Sequence, residues 1–203
     1  MGEPARAPGE AADPDATTEE ILAAALSAFG AKGFKATSLS EVAVAAGVSR
    51  PTLYARYPDK VRLFRAVVER AYQDALTAVT DAVAGEGSFE DVLRGTLFGY
   101  FGLLFDRFHG LPQVDELALV QSEHAEDLVL EARAELRRRL GRMIRQQTER
   151  GAIDPTQLGV PVTQLVDLIR LSPHSMKTPA TTRARYRRDL TNFARLVARA
   201  LAR

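Results

Sequence analysis

An all-α fold is what this sequence predicts, and three observations carry it. From Thr17 onward apolar residues recur every three or four positions, and no run sustains the apolar/polar alternation and β-branched enrichment of a strand. Ser and Thr caps, prolines near helix starts and glycines past helix ends punctuate the chain at helical lengths. The expected architecture is an amino-terminal three-helix unit with a helix-turn-helix and a larger carboxy-terminal helical domain, about nine helices in all.

Residues 1–16, MGEPARAPGEAADPDA, hold Arg6 against Glu3, Glu10, Asp13 and Asp15 and have no apolar period, so they are read as a disordered acidic leader. The first helix is expected to begin at Thr17, whose hydroxyl and Glu20 make a capping box. It should bury Ile21, Leu22, Ala25, Leu26 and Phe29 and end at Gly33. Ser38 and Glu41 repeat the box for a short helix carrying Leu39, Val42 and Ala46, which Gly47 stops. Ser49 caps a third, with Pro51 in its first turn and Leu53 and Tyr57 on one face until Pro58. A long fourth helix should run from Asp59 through Phe64, Val68, Tyr72 and Val79 to Gly85.

Past that break, Ser88 opens a helix that is apolar nearly all round to Phe108, and a short helix follows Pro112. Residues 126–150 form an amphipathic helix with Leu136, Leu140, Met143 and Ile144 opposite the arginines 133, 137, 138, 139, 142 and 145, a run read as a solvated face. Pro161 starts the next, Pro173 and Pro179 bracket a loop, and Tyr186, Leu190, Phe193, Val197 and Leu201 line the last. The domains are placed at 17–65 and 66–203.

Composition narrows the function classes. With 203 residues, 46% hydrophobic and 26% charged, the chain can bury a core without staples. Zero cysteines exclude a disulfide framework and a thiolate nucleophile. No stretch nears the roughly 18 apolar residues of a membrane span and no secretory signal is visible, so a cytoplasmic protein without a membrane partner is expected. The net charge of +1 hides an early excess, because residues 17–70 hold eight basic against five acidic side chains.

The informative stretch is TSLSEVAVAAGVSRPTLYARYPDK, residues 37–60. Two short capped helices joined by Gly47-Val48-Ser49 make a helix-turn-helix, with Gly47 permitting the sharp exit and Val48 plugging the angle. Leu53 and Tyr57 would face inward. Arg50, Pro51, Thr52, Tyr54, Ala55 and Arg56 would then lie towards or beside DNA, short, basic or hydroxylated groups suited to bases and phosphates.

With Gly33-Phe34, Ala46-Gly47-Val48-Ser49, Thr52-Leu53-Tyr54, Tyr57-Pro58 and Lys60 in that order, Glu20 to Val68 resembles the DNA-binding domain of the TetR-type transcriptional regulators. The resemblance implies phosphate contacts from Thr37, Ser38, Ser49, Tyr54 and Lys60, base reading by Arg50 and Thr52, and either role for Arg56. Pro51 departs from the small flexible residue common there and removes a backbone donor, while Ala55 stands where an aromatic or His is frequent. The implied function is a DNA-binding regulator, a repressor released from its double-stranded operator by a small apolar or aromatic effector, with no cofactor.

Five of the fourteen aromatics fall within Phe98–Phe108, interleaved with glycines 95, 99 and 102 that either let helices approach closely or leave space. By the resemblance, a ligand cavity is placed among Phe101, Phe105, Phe108, Met143 and Met176, with His109, His124 and His174 as polar anchors. The last two helices, faced by Val162, Leu165, Val166 and Ile169 and by Leu190, Phe193, Val197 and Leu201, are assigned to a homodimer interface by the same resemblance, although such faces could close the monomer's own core. An enzyme or metal protein built on the three histidines is disfavoured, because separations of fifteen and fifty residues match no ligand pair on one helix.

Overall fold

The computed structural model describes residues 14–178 and 180–202, and every regular element among them is helical. The elements are α1 (Pro14–Lys32), α2 (Leu39–Ala45), α3 (Arg50–Arg56), α4 (Lys60–Ala84), α5 (Phe89–Leu97), α6 (Leu103–Phe108), α7 (Val114–His124), α8 (Glu126–Glu149), α9 (Val162–Ser175) and α10 (Arg183–Ala200). A π turn at Phe98–Gly102 joins α5 to α6 without interruption, so nine helical rods stand where about nine were expected. The first thirteen residues of the acidic leader, and Pro179, lie outside the described residues.

Helix α1 begins earlier than its capping signal suggests. Pro14 occupies the first turn, where its missing N–H has no partner to lose, and Thr17 lies inside the helix, 6% exposed, rather than at its cap. The caps of α2, α3, α4 and α5 do form, on Ser38, Ser49, Asp59 and Ser88, and the Ser38–Glu41 box closes in both directions. Pro173 corrects a second boundary: it sits in the last turn of α9, not in a loop. The proline gives up the bond that an N–H there would make to the Ile169 carbonyl, and the buried Tyr186 hydroxyl donates to the Pro173 carbonyl at 3.1 Å.

Two apolar cores share α4. Leu63, Phe64, Val67 and Val68 pack with α1, α2 and Leu53 of α3, whereas Ala75 and Val79 pack with α5, α8, α9 and α10. The first core does not stop at the expected boundary: Leu117 and Val120 of α7 and Val129 of α8 close it from the second domain. A Cβ on Gly99 would lie 2.9 Å from the Ala78 backbone and one on Gly95 3.0 Å from the Ala82 Cβ, so Gly95 lets α5 and Gly99 lets the π turn touch α4. Gly102 has no neighbour nearer than 3.8 Å.

The stripes assigned to a dimer belong to the monomer. Leu165, Val166, Ile169, Leu190 and Leu201 are buried in the second core, with Val162, Phe193 and Val197 half-buried against it. Helix α9 packs on α8 and α10 on α5, so each needs one apolar stripe for its own chain. The apolar side chains that remain outside are Leu168 and Leu171 of α9 and Leu196 of α10, each more than half exposed. The arginine run is likewise not a bare solvated face. Arg137 pairs with Asp167 of α9, and Arg139 bonds Glu135, the Leu76 carbonyl and the Thr80 hydroxyl, tying α8 to α9 and α4.

Candidate nucleic-acid interface and cavity

The corner between α2 and α3 is made by a single left-handed glycine. Gly47 has φ +67° with open space around it, so conformation rather than crowding selects glycine there. Its N–H donates to the Val44 carbonyl and that of Val48 to the Ala43 carbonyl, the paired bonds of a Schellman cap. Val48 tucks half-buried against the first core. Helix α3 turns fully buried Leu53 inward and leaves Arg50, Pro51, Tyr54 and Arg56 exposed.

The hydroxyls expected at phosphates are engaged to different degrees. Thr37 is 2% exposed and its hydroxyl donates to the Gly33 carbonyl at 2.7 Å, so that group serves the core and is not presented to a polyanion. Ser38 and Ser49 are exposed, each accepting the N–H of a residue three further on, and the Ser49 and Thr52 hydroxyls lie 2.7 Å apart. Arg56 donates to the Thr18 hydroxyl of α1 at 2.8 Å. Lys60 has a structural duty that its motif position did not reveal. Its ammonium donates to the Lys35 and Thr37 carbonyls at 3.1 and 2.9 Å and lies over the Phe34 ring, which orients its charge beside the start of α2 with a third N–H to spare.

A cavity of about 280 Å³ lies where the two cores meet. Phe101, Phe105, Phe108, His109 and His174 line it as expected. Three expected residues do not. Met143 is fully buried in the second core beneath the Thr96 hydroxyl, Met176 packs against that core, and His124 ends α7 beside Phe34 with its carbonyl bonded to Arg65. The walls that sequence missed come from distant segments: Leu26 and Phe29 of α1, Phe64 and Val68 of α4, Leu117 and Gln121 of α7. A molecule in this space would touch the core that holds α2 and α3.

One end of the cavity is polar and cationic. Tyr72, Tyr100, Arg133, His174 and Lys177 gather there, and the Tyr100 hydroxyl is buried with no hydrogen-bond partner among the described residues. Burial raises the Tyr100 hydroxyl above the ordinary tyrosine range. The His174 ring meets Phe101 edge-on at 5.4 Å. Burial, with Lys177, Arg133 and Arg170 nearby, lowers it to about 4, so it is neutral at pH 7. The Lys177 ammonium is pulled below its ordinary value by burial and by Arg133.

Comparison with known proteins agrees with this reading of the amino-terminal unit. Residues 21–67 match the family of bacterial regulatory proteins designated tetR. The chain is 29% identical over 85 residues to the HTH-type transcriptional activator FasR of Mycolicibacterium smegmatis and 41% identical over 64 residues to the HTH-type transcriptional repressor ComR of Escherichia coli K12. Those stretches are 42% and 32% of this chain and span 39% and 30% of the relatives' own lengths. In fold, GusR of Salmonella enterica superposes with a TM-score of 0.68 at 18% identity, covering 96% of this chain and 99% of that one. A TetR-family regulator from Mesorhizobium loti gives 0.65 at 18%, covering 92% and 97%.

Proposed function

We propose that this chain, whose residues 21–67 match the TetR family of bacterial regulatory proteins, is a repressor whose affinity for a double-stranded operator falls when a small molecule fills the cavity. The observation that carries the reading is the α2–α3 corner. Its Schellman turn at Gly47 and buried Leu53 leave Arg50 and Tyr54 on an exposed outer face, with the Lys60 charge fixed beside the start of α2. Phosphate contacts from Ser38, Ser49, Tyr54 and Lys60 would set the register, and Arg50 would read a base edge.

A single half-site is a weak target, so the active species is proposed as a homodimer. The outward leucines 168, 171 and 196 supply the unpartnered apolar surface for it, on the helices first chosen but on their opposite faces. Release would follow from geometry. Walls of the cavity on α1 and α4 connect it to the recognition helix, and a ligand that prefers a displaced α4 would move paired recognition helices away from the roughly 34–36 Å repeat of the major groove. As a partner of bacterial DNA the protein is assigned to the cytoplasm, and no helix among the described residues is long and apolar enough to cross a membrane. The test is a titration of the purified protein against DNA from its own promoter region: saturable, competitor-resistant binding that ligand weakens supports the reading, and binding no tighter than to random DNA refutes it.

A further inference from the structure

We propose that the cavity takes a small organic anion, an aryl or alkyl carboxylate, with its head group between Arg133 and Lys177 and its apolar body against Phe101, Phe105 and Phe29. This rests on the reading of the cavity as an effector site and adds the charge that the effector carries. The first support is an imbalance. Two cations reach the space, no acidic residue lines it, and neither Arg133 nor Lys177 is paired with a carboxylate among the described residues. Most other arginines of the arginine run are so paired: Arg137 with Asp167, and Arg138, Arg139 and Arg142 with Glu135. Arg133 belongs to the same helix and departs from that pattern where the helix meets the cavity.

The second support is an unsatisfied donor. The Tyr100 hydroxyl is buried on a residue 2% exposed, lines the cavity and has no hydrogen-bond partner among the described residues. A buried polar group left unpaired is costly, and a carboxylate oxygen would accept from it. The third is the state of Lys177. Burial and the nearby Arg133 charge disfavour its ammonium, a penalty that the Tyr186 ring at 5.6 Å offsets only in part and that a bound anion would reverse. Neutral His174 can donate to the same head group through whichever ring nitrogen carries its proton. Much of the remaining lining is aromatic, with Phe29, Phe64, Phe101, Phe105 and Phe108 among the walls, and Phe105 stacks on Tyr186 and His109 at 4.4 and 4.0 Å. The volume is at the small end of ligand sites, which suits one fused ring system or a medium alkyl chain rather than a nucleotide-bearing molecule.

The experiment uses matched pairs of probes with the same apolar body and a charged or neutral head group: 2-naphthoate with 2-naphthamide, and octanoate with octanamide, titrated into the full-length protein by calorimetry. At least one acid should bind, and its amide should bind roughly ten- to a hundredfold more weakly. Arg133→Gln and Lys177→Met should remove that preference by weakening the acid and not the amide, while Arg133→Lys restores part of it. Far-ultraviolet dichroism of each variant checks that it is folded. Amides binding as tightly as acids, or folded variants binding acids like the wild type, overturn the anion and leave the effector reading standing. Binding of neither class overturns both. Acids that bind in the wild type and are lost in the variants, yet leave affinity for promoter DNA unchanged, uphold the anion site and contradict the effector reading.

Discussion

Glu116 and Gly33 occupy one space: a Cβ on Gly33 would fall 2.0 Å from the Glu116 Oε2, and the same carboxylate accepts the Lys35 N–H at 3.0 Å. Gly33 also holds φ +90°, so it is required by conformation and by the approach of α7. The Gln113 N–H, donating to the Gly30 carbonyl at 3.1 Å, makes a second link from the second domain to the end of α1. The two contacts tie the start of α7 to the end of α1 and to the loop that leads into α2.

Gly33→Ala should cost about 1–2 kcal/mol from the left-handed conformation alone and displace Glu116 as well. Glu116→Ala should leave the melting temperature nearly unchanged and reduce the effect of ligand on DNA affinity. Thermal melts with operator titrations, with and without ligand, check the pair. A Glu116→Ala protein that is as ligand-responsive as the wild type removes α7 from the coupling route.

Lys60→Ala should act twice. Losing two bonds to carbonyls and the contact with Phe34 lowers stability, and losing a phosphate contact weakens binding to every sequence alike, with the salt slope smaller by about one unit. Arg50→Ala, from an exposed residue, should leave stability alone and cost about 1–3 kcal/mol on the operator only. Equal losses on specific and random DNA would show that Arg50 reads no base.

Local and tertiary features of this chain differ in how far the sequence reveals them. The caps on Ser38 and Ser49 and the turn at Gly47 were readable because cap and turn chemistry is local, decided within four or five residues. The cavity was half readable: Phe101, Phe105, Phe108, His109 and His174 share one stretch or one neighbouring helix, whereas Phe29, Gln121 and Arg133 come together only through tertiary packing. An apolar stripe on α9 or α10 looks the same whether it meets its own chain or another, which is why Leu165 and Leu190, expected at a dimer interface, lie in the core of their own chain. The π turn and the Lys60 bonds to Lys35 and Thr37 carbonyls have no sequence signature.

Leu190→Glu, at 0% exposure, should therefore unfold the second domain rather than produce a folded monomer. Leu168→Glu and Leu196→Glu, at exposed positions, should keep the helical signal and halve the mass seen by light scattering. Retention of the wild-type mass by both exposed variants would place the interface elsewhere.

Gly99→Ala should destabilise by about 1–3 kcal/mol, because the added methyl meets the Ala78 backbone, which cannot move aside as a side chain can. Gly102→Ala meets nothing closer than 3.8 Å and should be neutral or stabilising. Gly102 is not among the residues that line the cavity, so enlarging it is not a way to fill that space. Denaturant midpoints for the two variants decide between close approach and open space.

Stability should fall as the solution is acidified, in two windows. His174, lowered to about 4 from an ordinary 6.5, takes up a proton in the unfolded chain before the folded one, so stability declines as pH drops from about 6.5 to 4. Asp127 is held at about 2 by its bonds to Arg65, so its contribution is complete above about pH 4 and is lost on falling through 2. His174→Gln should flatten the first window and leave the second, as followed by melts from pH 7 to 2. An unchanged slope between pH 6.5 and 4 in that variant would mean that His174 is protonated as readily in the fold as outside it.

The central claim, that the α2–α3 corner reads DNA in sequence-specific fashion, is tested most directly by selecting binding sites from a random double-stranded pool with the wild type and with Arg50→Ala. The expected result is a two-fold symmetric consensus whose half-sites lie one helical turn or a multiple apart, with preference at one position per half-site relaxed in the variant. A pool that stays unenriched with the wild type, or a consensus unchanged in Arg50→Ala, would contradict it.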